Sequence, residues 1–126
     1  MKNFAKYHLP AILYAVAILV LPSIAGFRTH TIRFLLTDKL AHFLEYAVFA
    51  LLTYRSLTHL SRQIGDRMVF LLGLLCLAVF GLVDEVVQAF VPGRRADAWD
   101  YAADLAGGLL VLILLGVIRR FRPART

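Results

Sequence analysis

Between Met68 and Val83 the chain runs 16 residues without a charge, and between Asp104 and Arg119 it runs another 14. Such runs constrain the fold more than any motif. At 1.5 Å per residue they make helices of about 24 and 21 Å, close to the thickness of a bilayer's hydrocarbon core. Four apolar segments can be read, from about Leu9 to Phe27, Leu40 to Tyr54, Met68 to Val91 and Ala98 to Ile118. The second is short unless its ends snorkel. With 60% hydrophobic residues and a mean hydropathy of +0.74, a chain of 126 residues is too apolar for an ordinary soluble domain, which could not bury so much surface. The expectation is an all-α, polytopic membrane protein: one transmembrane domain over residues 1–126, folded as a bundle of four transmembrane helices.

Local signals fit that frame. Pro10 suits a helix start, and Pro22 should kink or end the first span. Ala106, Gly107 and Gly108 would let another helix approach the fourth span closely. Cys76, the single cysteine, excludes a disulfide framework and reads as a small packing residue. The N-terminus also resembles a signal peptide, with Lys2, Lys6, an apolar stretch and Ser23-Ile24-Ala25 as a small-residue cleavage site. We expect the segment to be retained as a span, and cleavage would leave the other three oriented as before.

The net charge of +6 does not point to nucleic acid, because the basic residues sit in loops and tails between the apolar runs, where they hold topology and meet anionic headgroups. Lys2, Lys6, Arg55, Arg62, Arg67, Arg119, Arg120, Arg122 and Arg125 would share one side, nine in all. Arg28, Arg33, Lys39, Arg94 and Arg95, five in all, would share the other. The excess predicts a multi-pass protein with both termini in the cytoplasm.

Seven of the eight acidic residues fall at the opposite, outer level: Asp38, Glu45, Asp84, Glu85, Asp97, Asp100 and Asp104. Counting helix rise from the inner boundary puts Asp84 about 24 Å up the third span, Asp104 about 21 to 23 Å up the fourth and His42 about 20 Å up the second. Spacings of three and four put Asp38, His42 and Glu45 or Tyr46 on one face, Asp84 with Gln88 on another, and Asp97, Asp100 and Asp104 on a third. Each helix can thus turn a polar stripe toward a shared interior.

Intramembrane ionisable groups usually serve a function, though each has a plainer reading as a helix-packing contact. His42 is the natural proton carrier, with Asp84 or Glu85 as its partner. Adjacent on one helix, these two carboxylates lie about 100° apart and should address different partners. Arg94 and Arg95 follow the turn signal Pro92-Gly93, and their forked donors suit a phosphate or carboxylate. The candidate catalytic residues are therefore His42, Asp84 and Glu85. Lys39, Gln88, Arg94, Asp100 and Asp104 are the candidate substrate-binding residues. One histidine among carboxylates can hold a divalent ion, but no H-x-x-x-H or H-E-x-x-H spacing is present, and His30 and His59 fall on opposite sides. No metal and no cofactor are expected.

Two stretches, Asp38-Lys39-Leu40-Ala41-His42-Phe43-Leu44-Glu45-Tyr46 and Asp84-Glu85-Val86-Val87-Gln88-Ala89-Phe90-Val91-Pro92-Gly93-Arg94, with Asp97 and Asp100 through Gly107, resemble the VanZ-like family of small bacterial membrane proteins. The resemblance covers about two-thirds of the chain. One departure is Asp104, where that family more often carries asparagine. The resemblance implies a polytopic protein of the bacterial cytoplasmic (inner) membrane, in a family linked to teicoplanin (glycopeptide) resistance, and it supplies no settled reaction. The expected function is binding of, or action on, an anionic lipid-linked, amphipathic or glycopeptide-like cell-envelope molecule at a mixed-charge site near the outer leaflet. An enzyme and a carrier remain open. The competing expectations are a structural or accessory subunit whose charges only lock helices, and a small proton-coupled transporter, which would need to form a homo-oligomer.

Overall fold

The computed structural model describes residues 2–21, 35–60, 64–92 and 96–121. They form five helices: α1 (Lys2–Tyr7), α2 (Leu9–Val20), α3 (Leu35–Thr58), α4 (Asp66–Ala89) and α5 (Ala98–Arg120). No strand occurs among the described residues. Pro22, the Ser23-Ile24-Ala25 cleavage signal and the pair Arg94–Arg95 lie outside the described residues.

Each start has a local cause. Pro10 occupies the first turn of α2, where a missing N–H is not needed. Asp97 caps α5 with extended backbone, its Oδ1 accepting from the Trp99 N–H at 2.9 Å. Asp100 in the first turn of α5 and Arg119 and Arg120 in its last complement the helix dipole. α3 overruns the apolar segment of residues 40–54 at both ends and reaches 24 residues, so its polar tips are helical as well.

α3 and α5 pack most intimately. At Gly107 a Cβ would fall on the Phe43 backbone carbonyl, and at Gly108 it would meet the Leu77 side chain of α4. The close approach expected of the Ala106-Gly107-Gly108 stretch is therefore made by its two glycines. The Tyr101 hydroxyl donates to the Ala78 carbonyl at 3.1 Å, tying α5 to α4. That of Tyr14 donates to the Glu45 carbonyl at 3.2 Å, tying α2 to α3. At one end of the assembly, Tyr7 stacks on His59 at 3.7 Å, His8 Nδ1 pairs with Ser56 Oγ at 2.7 Å, and Arg119 Nε meets Asp66 Oδ1 at 2.7 Å.

Large apolar side chains cover much of the outside, and the interior holds charged groups as well as apolar ones. Buried positions include His42, Asp84, Glu85, Gln88, Asp100 and Asp104, above an apolar layer of Phe49, Leu77 and Leu112. Exposed positions include Leu44, Val48, Leu75, Val79, Leu114 and Val117. Among the described residues, α4 and α5 are the two helices long and apolar enough to cross a membrane. α3 has the length but also carries Asp38, Lys39, Glu45 and Arg55, and α2 has 12 residues.

Cys76 corrects the sequence reading: it is exposed on the outward face of α4. The buried stripe of that helix runs through Val69, Gly73, Leu77 and Gly81 at intervals of four. Cys76 sits one residue off the stripe, about 100° around the helix.

Candidate functional site

Three helices bring their polar stripes to one level, as helix rise predicts. From α3, His42 projects inward one turn before Tyr46, and both are buried. From α4, Asp84, Glu85 and Gln88 are buried. From α5, Asp100 and Asp104 are buried, Asp104 completely at 0% exposure. The Gly107–Phe43 contact fixes the spacing, because Phe43 follows His42 and Gly107 lies one turn beyond Asp104.

His42 Nδ1 lies 3.0 Å from Asp104 Oδ1, a hydrogen bond in which a protonated Nδ1 donates. Its Nε2 faces Asp100 Oδ2 at 3.8 Å, within ion-pair range but beyond hydrogen-bond length. Donor atoms of His42, Asp84 and Asp104 lie within 4.8 Å of one another, and so do those of Asp38, His42 and Asp100. The imidazole thus stands between two carboxylate groups, one on each ring nitrogen.

Lys39 closes the cluster toward its end of the bundle. Its Nζ donates to Asp97 Oδ2 at 2.9 Å and to Asp100 Oδ1 at 2.7 Å, with a quarter of the side chain exposed. The hydrogen bond from Lys39 and the Trp99 N–H hold the Asp97 carboxyl below the usual aspartate range. Glu85 Oε2 accepts from the Asp97 N–H at 2.8 Å. Asp84 and Glu85 therefore have different neighbours: Asp84 stands with His42 and Asp104, and Glu85 holds the start of α5.

Several buried polar atoms have no hydrogen-bond partner among the described residues: Tyr46 Oη, Glu85 Oε1, Gln88 Nε2 and Asp104 Oδ2. Leaving such atoms unsatisfied costs about 1–3 kcal/mol each, so the cluster has unused capacity to hold a ligand, ion or water.

Of the sequence candidates, His42, Asp84, Asp100 and Asp104 converge around the imidazole, Glu85 and Lys39 adjoin them through Asp97, and Gln88 is buried one turn beyond Asp84. Arg94 lies outside the described residues. Glu45 is only half-buried, and Tyr46 takes the interior position that the spacing left open between them. Three contributors were not among the candidates. Asp38, one turn before His42 on α3, has a carboxylate within 4.8 Å of the His42 and Asp100 donor atoms, and its signal was the spacing of four from His42. Asp97 links Lys39, Glu85 and the start of α5, and its signal was an aspartate directly before a helical segment. Tyr46 is fully buried near Asp84 and Asp104, and an aromatic at helical spacing gives little warning of such a place.

Among the described residues, an all-helical arrangement with two helices long and apolar enough to cross a membrane and a buried carboxylate–imidazole cluster at one end fits a small, membrane-associated helical protein. The VanZ/LLP1 family matches residues 3–119, and the chain belongs to that family. No curated protein and no solved structure matches it.

Proposed function

We propose that this protein spans the bacterial cytoplasmic membrane four times as one domain, with both termini in the cytoplasm, and that its polar cluster receives an anionic lipid-linked or amphipathic envelope molecule from the outer leaflet. One observation carries the reading: apolar side chains face outward, while buried carboxylates, an imidazole and polar atoms without a hydrogen-bond partner among the described residues gather at one end. Hydrocarbon is the solvent that stabilises such a surface. A polar hollow maintained within it is costly unless it binds something.

In this reading His42 moves a proton, with Asp84 and Glu85 as its carboxylate partners. Lys39 and Arg94 attract the anion, while Gln88, Asp100 and Asp104 line its seat. The full chain in lipid nanodiscs, incubated with labelled lipid-linked precursors, tests this. A new product identifies an enzyme, and saturable binding alone identifies a carrier or sensor. His42→Gln and Glu85→Gln should abolish either signal in a folded, inserted protein. Absence of both signals for every envelope lipid ends the proposal.

A second reading is favoured by the Lys39 contacts to Asp97 and Asp100 and by the Glu85–Asp97 hydrogen bond, which together tie α3, α4 and α5. In it, the charges only lock helices. Under that reading the same two variants fail to fold, and no separable loss of binding or turnover is seen.

A further inference from the structure

We infer that His42, Asp84 and Asp104 form a site for one divalent transition-metal ion. The site is built by three helices, one donor from each, and the three donor atoms lie within 4.8 Å of one another. An ion at about 2.1 Å from each ligand needs neighbouring donors about 3 Å apart and opposite donors about 4.2 Å apart. The 3.0 Å between His42 Nδ1 and Asp104 Oδ1 already equals the spacing of neighbouring ligands. The remaining gaps close by less than about 2 Å, which side-chain rotation supplies.

Unused polar atoms point to a ligand independently of the cluster's charge. Asp104 Oδ2 is fully buried and makes no hydrogen bond among the described residues, although its carboxylate belongs to the triad. The Tyr46 hydroxyl, also fully buried and close to both Asp84 and Asp104, makes none either. Beside a metal, the free carboxylate oxygen becomes a ligand or accepts from a coordinated water, and the phenol donates to a coordinated water or carboxylate.

The second layer fits as well. With Nδ1 on the metal, the Nε2 proton faces Asp100, whose other oxygen is held by Lys39 at 2.7 Å. A carboxylate behind a ligating imidazole fixes its tautomer and raises its basicity. One imidazole with two carboxylates suits Mn2+ or Zn2+ better than Ca2+, which prefers six to eight oxygens. While the ion is bound, His42 is held as a ligand. This deepens the proposed envelope-molecule site, yet ion binding needs no envelope molecule and can be tested alone.

The full chain in nanodiscs, stripped with a chelator and equilibrated with Mn2+ and separately with Zn2+, should retain about one ion. Pulsed electron paramagnetic resonance of the Mn2+ form should show coupling to a single imidazole nitrogen. His42→Gln, Asp84→Asn and Asp104→Asn should each weaken binding by more than about 100-fold. Asp100→Asn should weaken it by about 10- to 100-fold, as loss of an outer partner does. Asp66→Asn, at the far end of the bundle, should leave it unchanged. The inference is overturned if the folded wild type retains no ion, if the bound Mn2+ shows no imidazole coupling, or if His42→Gln and Asp104→Asn bind as tightly as wild type. The wild-type measurements decide the matter even where a variant fails to fold. Envelope-lipid binding by a chain that holds no metal would overturn the metal site alone, and metal binding without any lipid would do the reverse.

Discussion

Replacing Gly107 by alanine should separate α3 from α5 and take the polar cluster apart. The added Cβ would fall on the Phe43 carbonyl oxygen, with the Phe43 carbonyl carbon at 2.8 Å and Cα at 3.0 Å. All three are backbone atoms, which cannot rotate aside, so one helix must retreat by about 1 Å or more to restore carbon contacts of about 3.5 Å. Phe43 follows His42 and Asp104 lies one turn before Gly107, so the retreat stretches the 3.0 Å His42–Asp104 contact beyond hydrogen-bonding range. Alanine for glycine within a helix gains about 1 kcal/mol, whereas overpacking against a rigid neighbour costs about 1–3 kcal/mol, with backbone contact at the upper end. A net loss of about 2 kcal/mol is expected. Gly116 supplies the control on the same helix, because a Cβ there meets nothing within 4 Å. Gly116→Ala should therefore stabilise by about 1 kcal/mol, giving the two variants opposite signs and a separation of about 3 kcal/mol. Reversible denaturant unfolding in bicelles measures both. If Gly107→Ala is stabilised alongside Gly116→Ala, the close crossing of α3 and α5 is wrong.

Three further outcomes are expected. Asp97 is held below its ordinary value by Lys39 and the Trp99 N–H, so its stabilising effect is complete above the unfolded value of about 3.9 and is lost as pH falls through the lower folded value. In unfolding titrations from about pH 2 to 6, Lys39→Gln should shift that acid loss toward higher pH and shrink it; an unchanged profile would remove Lys39 as the cause. Asp66→Asn breaks the ion pair with Arg119, whose partners are 62% and 39% exposed, so unfolding should register a loss of no more than about 1 kcal/mol. Cys76→Leu should change stability by no more than about 0.5 kcal/mol, because the side chain faces outward, whereas a packed cysteine would give an overpacking cost of about 1–3 kcal/mol in the same assay.

How far the chain announces its fold depends on the physical scale of each signal. Helix rise is a fixed length, so counting from charged boundaries brought His42, Asp84 and Asp104 to one level, and the donor atoms of all three do meet. Helical period is equally regular, which is why the stripes through Asp84 and Gln88 and through Asp100 and Asp104 are buried as the spacing implies. Rotation at finer resolution is less legible. Glu45 and Tyr46 both satisfy the spacing from His42, and the two fall on different sides of the helix's buried edge. Cys76 sits beside the buried stripe of α4, in a run where every residue is apolar and pattern cannot mark the inward ones. The second apolar segment looks short because hydropathy stops at polar residues, whereas the hydrogen-bonded helix continues through Asp38 and Arg55. A three-helix ligand set likewise leaves no spacing motif, since its members lie at positions 42, 84 and 104.

The two readings of the cluster differ in a quantity that can be counted. A network meant only to lock helices in hydrocarbon should pair its charges, because each unbalanced one carries the full desolvation penalty. The outer half of the cluster meets that condition: Lys39 is shared by Asp97 and Asp100, and Glu85 accepts from the start of α5. The inner half does not follow the same rule. Asp104 is fully buried against the His42 imidazole, which Asp100 shares, and its second carboxylate oxygen makes no hydrogen bond among the described residues. Asparagine at position 104 would keep a hydrogen bond to His42 and remove one negative charge, which is the better solution for a lock. Aspartate there makes sense when positive charge arrives from outside the bundle, as a cation seated on the triad or as the proton that an acid–base site must store.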